Sequence, residues 1–274
     1  MARANRHFIP GHIWHLTHRC HKREFLLKFA RDRRRWVRLL FSARQRYGLS
    51  ILNYVATKNH VHLVVADNGD PSAISRTMQY AAGRTAYEYN QRKNRKGAFW
   101  EDRYHATAIE SGHHLRQCLV YVDLNMVRAG AVAHPSQWQW GGYHEIQNPK
   151  TRCRLIDHHR LQKLLDMPAH DDLAEAHAHW VRSKLTAGTV RETHFSQSLA
   201  VGSEAYVRGV QKALGIRAAG RRIRDLASVS DDGCQLREPE SVYGHIGLAG
   251  QQPADAVVWT SEGGRLLPWR GGSA

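Results

Sequence analysis

The fold is decided by residues 49–66, which read LSILNYVATKNHVHLVVA. The runs 49–57 and 61–66 are rich in β-branched and aromatic residues, and Lys58 and Asn59 interrupt them. Short apolar runs of this composition with polar residues between them are typical of neighbouring strands. We therefore predict two adjacent strands here and place the other elements around them.

The flanking sequence predicts one further strand on each side and three helices. Apolar residues recur at helical spacing in 29–47 and 72–94, whereas 13–17 and 99–109 are typical of extended chain. A third helix is predicted over 111–128. The order β-α-β-β-α-β-α predicts an α+β fold, namely a ferredoxin-like antiparallel sheet with helices packed on it.

A change in composition divides the chain. The segment 134–149 is rich in Trp, Gly, Gln and Pro, so we predict a first domain over 1–148 and a C-terminal extension over 149–274. The extension is expected to be mainly helical with a poorly defined tail after Gly250. Its helical periodicity lies at 155–165, 173–185 and 203–214.

The charge of the chain favours a polyanionic partner. Forty Lys and Arg residues stand against twenty-four Asp and Glu, which gives a net charge of +16. Nucleic acid is the simplest partner for such a surface. A hydrophobic content of 42% argues against wholesale disorder. The apolar runs are too short to cross a bilayer, so we expect no membrane partner and a cytoplasmic location.

The predicted helix over 29–47 carries much of this charge. Its basic residues form either a solvated outer face or a phosphate-binding surface, and the sequence leaves both interpretations open. They are Arg31, Arg33, Arg34, Arg35, Arg38, Arg44 and Arg46.

Two histidines in the central stretch are candidates for metal binding. His60 and His62 lie two residues apart in a predicted strand, and this spacing puts both imidazoles on one face. Imidazole is a common metal ligand, but histidines at this spacing are also often hydrogen-bonded or exposed to solvent. The spacing therefore leaves a metal site and a structural pair as alternatives.

Other histidines of the chain do not form such a pair. His177 and His179 lie in a predicted helix, where a spacing of two gives nearly opposite faces, so we interpret them as surface residues. A further series recurs at every third residue in and around the first predicted strand, where this spacing alternates between the faces, so its members do not form a single ligand set. The series consists of His12, His15, His18 and His21.

The third predicted helix carries a polar stripe. Tyr121 and Asn125 are four residues apart and Arg128 is three further, so all three project from one side of the helix. A structural interpretation is that Tyr121 is a half-buried aromatic residue and Asn125 a surface amide. A functional interpretation is that phenol, amide and guanidinium line one site.

Three ordered blocks resemble a known family. Residues 54–65 (YVATKNHVHLVV), 99–104 (FWEDRY) and 121–130 (YVDLNMVRAG) resemble the REP-associated tyrosine transposases, which belong to the HUH class of single-strand DNA transposases. Two departures are visible. Thr57-Lys58 stands where the family commonly has Met-Pro, and Met126 replaces a proline that would affect the path of the helix.

The resemblance implies a role for each candidate residue. His60 and His62 would bind a divalent metal, Tyr121 would be the nucleophile, and Asn125 is a candidate third ligand. The implied activity is metal-dependent single-strand DNA cleavage and strand transfer on structured repeat DNA through a 5′-phosphotyrosine. Imidazoles alone would favour zinc, but the resemblance and the hard phosphate oxygens favour Mg²⁺ or Mn²⁺. The active form would be a monomer or a homodimer.

The implied partner is single-stranded or hairpin DNA. Trp14 and Tyr104 are additional aromatic candidates for base stacking. Two other functions remain open: a non-catalytic nucleic-acid-binding regulator derived from a transposase, and a metal-dependent hydrolase of a small molecule, which leaves the charge unexplained. The candidate DNA-binding residues are Arg103, Arg128, Lys58, Trp100, Arg19 and Arg23.

Overall fold

The computed structural model describes residues 9–70, 72–168, 172–190, 192–218, 220–226 and 233–237. Its first half has the predicted order of elements: β1 (Ile13–Arg19), α1 (Ala30–Tyr47), β2 (Ser50–Ala56), β3 (His60–Ala66), α2 (Ser72–Lys93) and β4 (His105–Ile109). These strands form an antiparallel sheet in the order β2-β3-β1-β4. This is the strand order of a ferredoxin-like domain, and the predicted fold class is confirmed.

The register of β1 against β3 fixes which side chains share a face. Thr17 pairs with His62 and Arg19 with His60, and residues directly opposite each other in an antiparallel ladder project to the same side. His15 is two residues from Thr17 and therefore lies on this side as well. We call this side of the sheet the histidine face.

Helices α1 and α2 cover the opposite face. The Trp100 ring stacks on His18 of β1 with 4.1 Å between ring centroids, and the Trp100 indole N–H donates to the carbonyl of Ala82 in α2. Helix α1 joins the same layer because Arg35 of α1 forms a two-point ion pair with Glu88 of α2. It ends at Gly48, whose φ of 67° is the left-handed conformation that suits glycine.

The histidine face is covered by α3 (His113–Asp123) and α4 (Asn125–Arg128). The sequence predicts one continuous helix here, and the structure divides it at Leu124, where ψ is 3°. The Leu124 N–H still bonds to the Val120 carbonyl and the Arg128 N–H to the Leu124 carbonyl, so helical hydrogen bonds continue on both sides of the break. A second difference is that the predicted extended segment 99–109 forms a strand only from His105.

Helix α5 (Tyr143–Gln147) precedes the extension, which contributes helices α6 (His158–Leu164), α7 (Leu173–Ala187), α8 (His194–Gln197) and α9 (Glu204–Leu214). The helices predicted at 155–165, 173–185 and 203–214 correspond to α6, α7 and α9 and are confirmed. The domain boundary at residue 148 stays a prediction, and the predicted tail after Gly250 lies outside the described residues. None of the helices in the described ranges is long and apolar enough to span a membrane.

The extension also adds three short strands that the sequence does not predict. They are β5 (Ala200–Gly202), β6 (Arg222–Asp225) and β7 (Cys234–Arg237). β5 pairs in parallel with β4, so that the sheet of the described residues has seven strands in the order β2-β3-β1-β4-β5-β7-β6. The extension therefore continues the sheet that carries the candidate site.

A buried histidine–carboxylate hydrogen bond joins the extension to α3. The Nε2 atom of His177 in α7 lies 2.8 Å from Oδ2 of Asp123, and both side chains are inaccessible to solvent. Asn53 of β2 donates to the other carboxylate oxygen at 3.0 Å. The prediction that His177 is a surface residue is wrong, because α7 packs this side against α3; His179 is exposed as predicted.

Candidate active site

A cavity of about 400 Å³ opens on the histidine face. It brings together, within one chain, the residues that the sequence places on a strand and on a distant helix. We call this cavity the central pocket. Its lining includes His60, His62, Tyr121, Asn125, Arg128, Arg19, Arg23, Thr17, Asn59, Ala129, Thr189 and Ser196.

His60 is held by the turn between β2 and β3. Its Nδ1 atom lies 2.7 Å from the Asn59 side-chain oxygen and 3.0 Å from the Thr57 hydroxyl. The same hydroxyl donates to the His60 carbonyl at 2.8 Å. Because Nδ1 is held in this way, Nε2 is the nitrogen of His60 that suits a metal ligand.

His62 lies beside His60 and is buried. The two ring centroids are 4.9 Å apart. Nδ1 of His62 lies 2.8 Å from Nε2 of His15 and 3.2 Å from the Thr17 hydroxyl. Burial lowers the pKa of His62 well below its usual value, and the neighbouring His60, His15 and positive charges lower it further. The ring is therefore neutral at physiological pH, the form that binds metals.

Asn125 contacts the other nitrogen of His62. Its amide nitrogen lies 3.1 Å from Nε2 of His62, and a half-turn of the amide would place its oxygen there instead. Among the described residues, no group of three or more His, Cys, Asp or Glu side chains could hold a metal. Two imidazoles and one amide oxygen nevertheless make a donor set that fits a divalent ion with open positions for other oxygens.

Tyr121 is held on several sides and is only 4% exposed. Its ring meets the His62 ring edge-on with centroids 6.0 Å apart. The Arg128 guanidinium carbon lies 4.3 Å from the centroid of the Tyr121 ring, and Arg128 donates to the Tyr121 carbonyl at 2.6 Å. Phe195 of α8 packs on the ring with centroids 5.2 Å apart. The nucleophile candidate is thus fixed next to the His62 imidazole.

Three of the six candidate DNA-binding residues line the central pocket and three do not. Arg19, Arg23 and Arg128 line the central pocket. Lys58 and Arg103 are exposed but do not line it. The Trp100 ring is half-buried and stacked on His18, on the face opposite the pocket. The aromatic candidates Trp14 and Tyr104 are buried, at 4% and 6% exposure, and belong to the core.

Sequence reasoning missed two residues that contact the site. His15 is fully buried between His62 and the extension, and its Nδ1 atom lies 2.6 Å from the carbonyl oxygen of Phe195. Burial lowers the pKa of His15 to about 4. The sequence correctly predicts that histidines at every third residue alternate between the two faces of the strand. It does not predict that His15 and His62 share a face, because this depends on the register of β1 against β3. No pattern in the sequence points to Phe195.

Part of the chain matches a known protein family. Residues 9–125, less than half of the chain, match the family model described as "Transposase IS200 like". Similar solved structures include a REP-associated tyrosine transposase bound to a REP hairpin, at 19% identity and a TM-score of 0.43, over 53% of this chain and 84% of that chain. The match to the family model confirms the resemblance to transposases for residues 9–125.

A Deinococcus radiodurans protein assigned to the transposases is also similar, at 15% identity and a TM-score of 0.32, over 47% of this chain and 98% of that chain. No functionally curated protein matches the chain.

Proposed function

We propose that the chain is a metal-dependent single-strand DNA endonuclease and strand transferase that acts on structured repeat DNA through a 5′-phosphotyrosine. The observation that carries the proposal is the single pocket that holds His60, His62, Tyr121 and Asn125. The match of residues 9–125 to IS200-like transposases supports it. The choice of an imperfect hairpin as substrate follows from the resemblance of the sequence blocks around these residues.

Binding of the scissile strand would use the positive side of the pocket. Arg19, Arg23 and Arg128 line it, and guanidinium groups recognise phosphate oxygens with paired hydrogen bonds. The net charge of +16 would draw a polyanion to the surface. These contacts position the backbone and carry no base identity.

Cleavage would begin with the phenol of Tyr121. Its oxygen forms a bond to phosphorus while the bond between phosphorus and the 3′-oxygen breaks. The phenol loses its proton and the released 3′-oxygen gains one, so the products are a 5′-phosphotyrosine and a free 3′-hydroxyl. A second 3′-hydroxyl can reverse the step, and because one phosphodiester replaces another, rejoining needs no ATP.

The metal would be held by His60, His62 and Asn125. A bound Mg²⁺ or Mn²⁺ supplies polarisation of the scissile phosphate and offsets the charge that builds on its oxygens. Thr57 and Asn59 orient His60 through its Nδ1 atom. Arg128 holds the backbone and the ring face of Tyr121, so that the phenol is fixed before DNA binds.

The test is covalent capture of the protein on DNA. Labelled hairpin oligonucleotides are incubated with the full chain and Mn²⁺, and a denaturation-resistant conjugate is expected. Tyr121→Phe should abolish the conjugate and leave hairpin affinity within about twofold, because only the nucleophilic oxygen is removed. Tyr87→Phe, at an exposed tyrosine of α2, is the matched control and should form the conjugate normally.

Two outcomes would contradict the proposal. A conjugate that persists in Tyr121→Phe would remove Tyr121 from the mechanism. Hairpin binding that is unchanged by EDTA and yields neither conjugate nor cleaved strand would instead indicate the non-catalytic regulator.

A further inference from the structure

A line of hydrogen bonds runs from the C-terminal extension to the proposed metal site. The carbonyl oxygen of Phe195 lies 2.6 Å from Nδ1 of His15, and Nε2 of His15 lies 2.8 Å from Nδ1 of His62. Nε2 of His62 then faces the pocket beside Asn125. Each imidazole along this line is buried.

We infer that His15 is a positioning residue which, together with the Phe195 carbonyl, holds His62 in the tautomer whose unprotonated Nε2 faces the pocket. The extension thereby becomes part of the metal site. The inference rests on the proposed function, since it assumes that His62 is a metal ligand. It adds that His15, which is not itself a proposed ligand, sets the tautomer of that ligand.

The direction of the hydrogen bonds follows from the carbonyl at one end. A carbonyl oxygen only accepts, so Nδ1 of His15 must carry a hydrogen. His15 is fully buried, and within the described residues the ionisable side chains that act on its ring are those of His105 and Arg128, neither of them a carboxylate. A second proton on this ring would be a buried charge without an anionic partner, which is costly. Nε2 of His15 therefore accepts a hydrogen bond.

The unprotonated Nε2 of His15 determines the tautomer of His62. Two unprotonated nitrogens cannot share a hydrogen bond, so Nδ1 of His62 donates to Nε2 of His15. In a neutral imidazole the other nitrogen is then unprotonated. Thr17 also contacts Nδ1 of His62, at 3.2 Å, but a hydroxyl both donates and accepts and does not fix a tautomer by itself.

The extension holds its carbonyl in place through β4. The hydroxyl of Thr107 lies 3.0 Å from the Phe195 carbonyl and 2.6 Å from the Ser198 carbonyl. Thr107 pairs with His15 across β1 and β4, so the strand that neighbours His15 also anchors α8. The Phe195 ring meanwhile contacts Tyr121. One residue of the extension therefore contacts both the nucleophile candidate and the partner of a ligand candidate.

The test uses nitrogen-15 NMR of the histidine rings in the full-length protein without metal. We expect His62 to carry its hydrogen on Nδ1 in the unsubstituted chain. In His15→Leu, which removes the acceptor, the hydrogen is expected to move to Nε2. In His15→Gln, whose side-chain oxygen can accept, and in the control Thr17→Val, the hydrogen should stay on Nδ1.

Mn²⁺ binding measured by electron paramagnetic resonance provides the second readout. His15→Leu should weaken it by about 10- to 100-fold, the usual effect of losing a partner of a metal-ligating histidine. His15→Gln should stay within severalfold of the unsubstituted chain, which a merely space-filling role would not explain. A His62 that carries its hydrogen on Nε2 in the unsubstituted chain overturns the inference, even if His15→Leu does not fold.

The outcomes separate this inference from the proposed function. If the conjugate with DNA forms but folded His15→Leu binds Mn²⁺ like the unsubstituted chain, the inference fails alone. If no conjugate forms while the tautomer and the Mn²⁺ affinities behave as expected, the inference holds and the DNA chemistry fails.

Discussion

Asp123 shows how one helix segment contributes both to the candidate site and to the stability of the fold. It lies between Tyr121 and Asn125 in the sequence, yet both of these line the central pocket while the Asp123 carboxylate points to α7 and pairs with His177. Within one turn the chain therefore supplies a nucleophile candidate to one side and an anchor for the extension to the other.

The contact between His177 and Asp123 should make a measurable contribution to the free energy of unfolding. His177→Ala leaves the Asp123 carboxylate buried without its partner, which we expect to lower the free energy of unfolding by about 3 kcal/mol. Urea denaturation followed by circular dichroism measures this change. His179→Ala, on the same helix but exposed, is the control and should change the free energy by no more than about 0.5 kcal/mol. Equal effects of the two substitutions would refute the role of the His177–Asp123 hydrogen bond.

At the residue scale, the sequence predicts side-chain faces better than side-chain partners. A spacing of two in a strand correctly puts His60 and His62 on one side. The spacing does not predict which side chains contact these two histidines, so from the sequence His15 is only one member of an alternating series. His177 was misplaced for the same reason, because the partner that buries it, Asp123, is 54 residues away.

At the scale of elements, α8 is a short helix with a specific position. Phe195 presents its carbonyl to His15 and its ring to Tyr121. The two contacts use different atoms, so substitutions can separate them. A change in the ring leaves the carbonyl in the chain, whereas a change at His15 leaves the ring contact intact.

Phe195→Leu is expected to affect the nucleophile candidate more than the metal site. The smaller side chain loosens the packing against Tyr121, lowers the free energy of unfolding by about 1 kcal/mol and slows conjugate formation on hairpin DNA by about tenfold. The affinity for Mn²⁺ should remain within about twofold. This pattern is the reverse of that expected for His15→Leu, and a loss of Mn²⁺ binding as large as in that variant would contradict the separation.

In the described part of the extension, the sequence predicts three of the helices but none of the three strands. The periodicity of α6, α7 and α9 spans several turns, whereas β5 has only three residues, too few to show alternation. β5 also exists through its pairing with β4, in which Ala200 lies opposite Ala108, and no local pattern encodes such a distant contact. The sequence does not predict the break between α3 and α4 at Leu124, because the helical spacing of polar residues continues across it.

At the scale of the whole molecule, positive charge is displayed on two opposite sides. The central pocket is lined by Arg19, Arg23 and Arg128. On the other side of the sheet, a groove of about 350 Å³ between α1 and α2 is also rich in arginine. Its charged lining residues are Arg31, Arg34, Arg35, Arg38, Arg92, Asp32 and Glu88.

Part of the charge in this groove is already neutralised within the protein. Arg35 pairs with Glu88, and Arg92 pairs with Asp32. In the described part of the chain, no ion pair is found for Arg31, Arg34 or Arg38, all of which are exposed. These three are the residues that decide between the two interpretations of the helix, a solvated face or a phosphate-binding surface.

The salt dependence of hairpin binding distinguishes the two interpretations. If Arg31, Arg34 and Arg38 contact phosphates, replacing all three by alanine should reduce the slope of log affinity against log salt by about 2 to 3, since each contact contributes about 0.7 to 0.9. Conjugate formation at saturating DNA should be nearly unchanged, because the central pocket lies on the other face. Arg46→Ala, exposed on the same helix but not part of the groove lining, should leave the slope unaltered. A triple variant with the original slope would identify this side of the molecule as a solvated face and confine DNA binding to the histidine face and its surroundings.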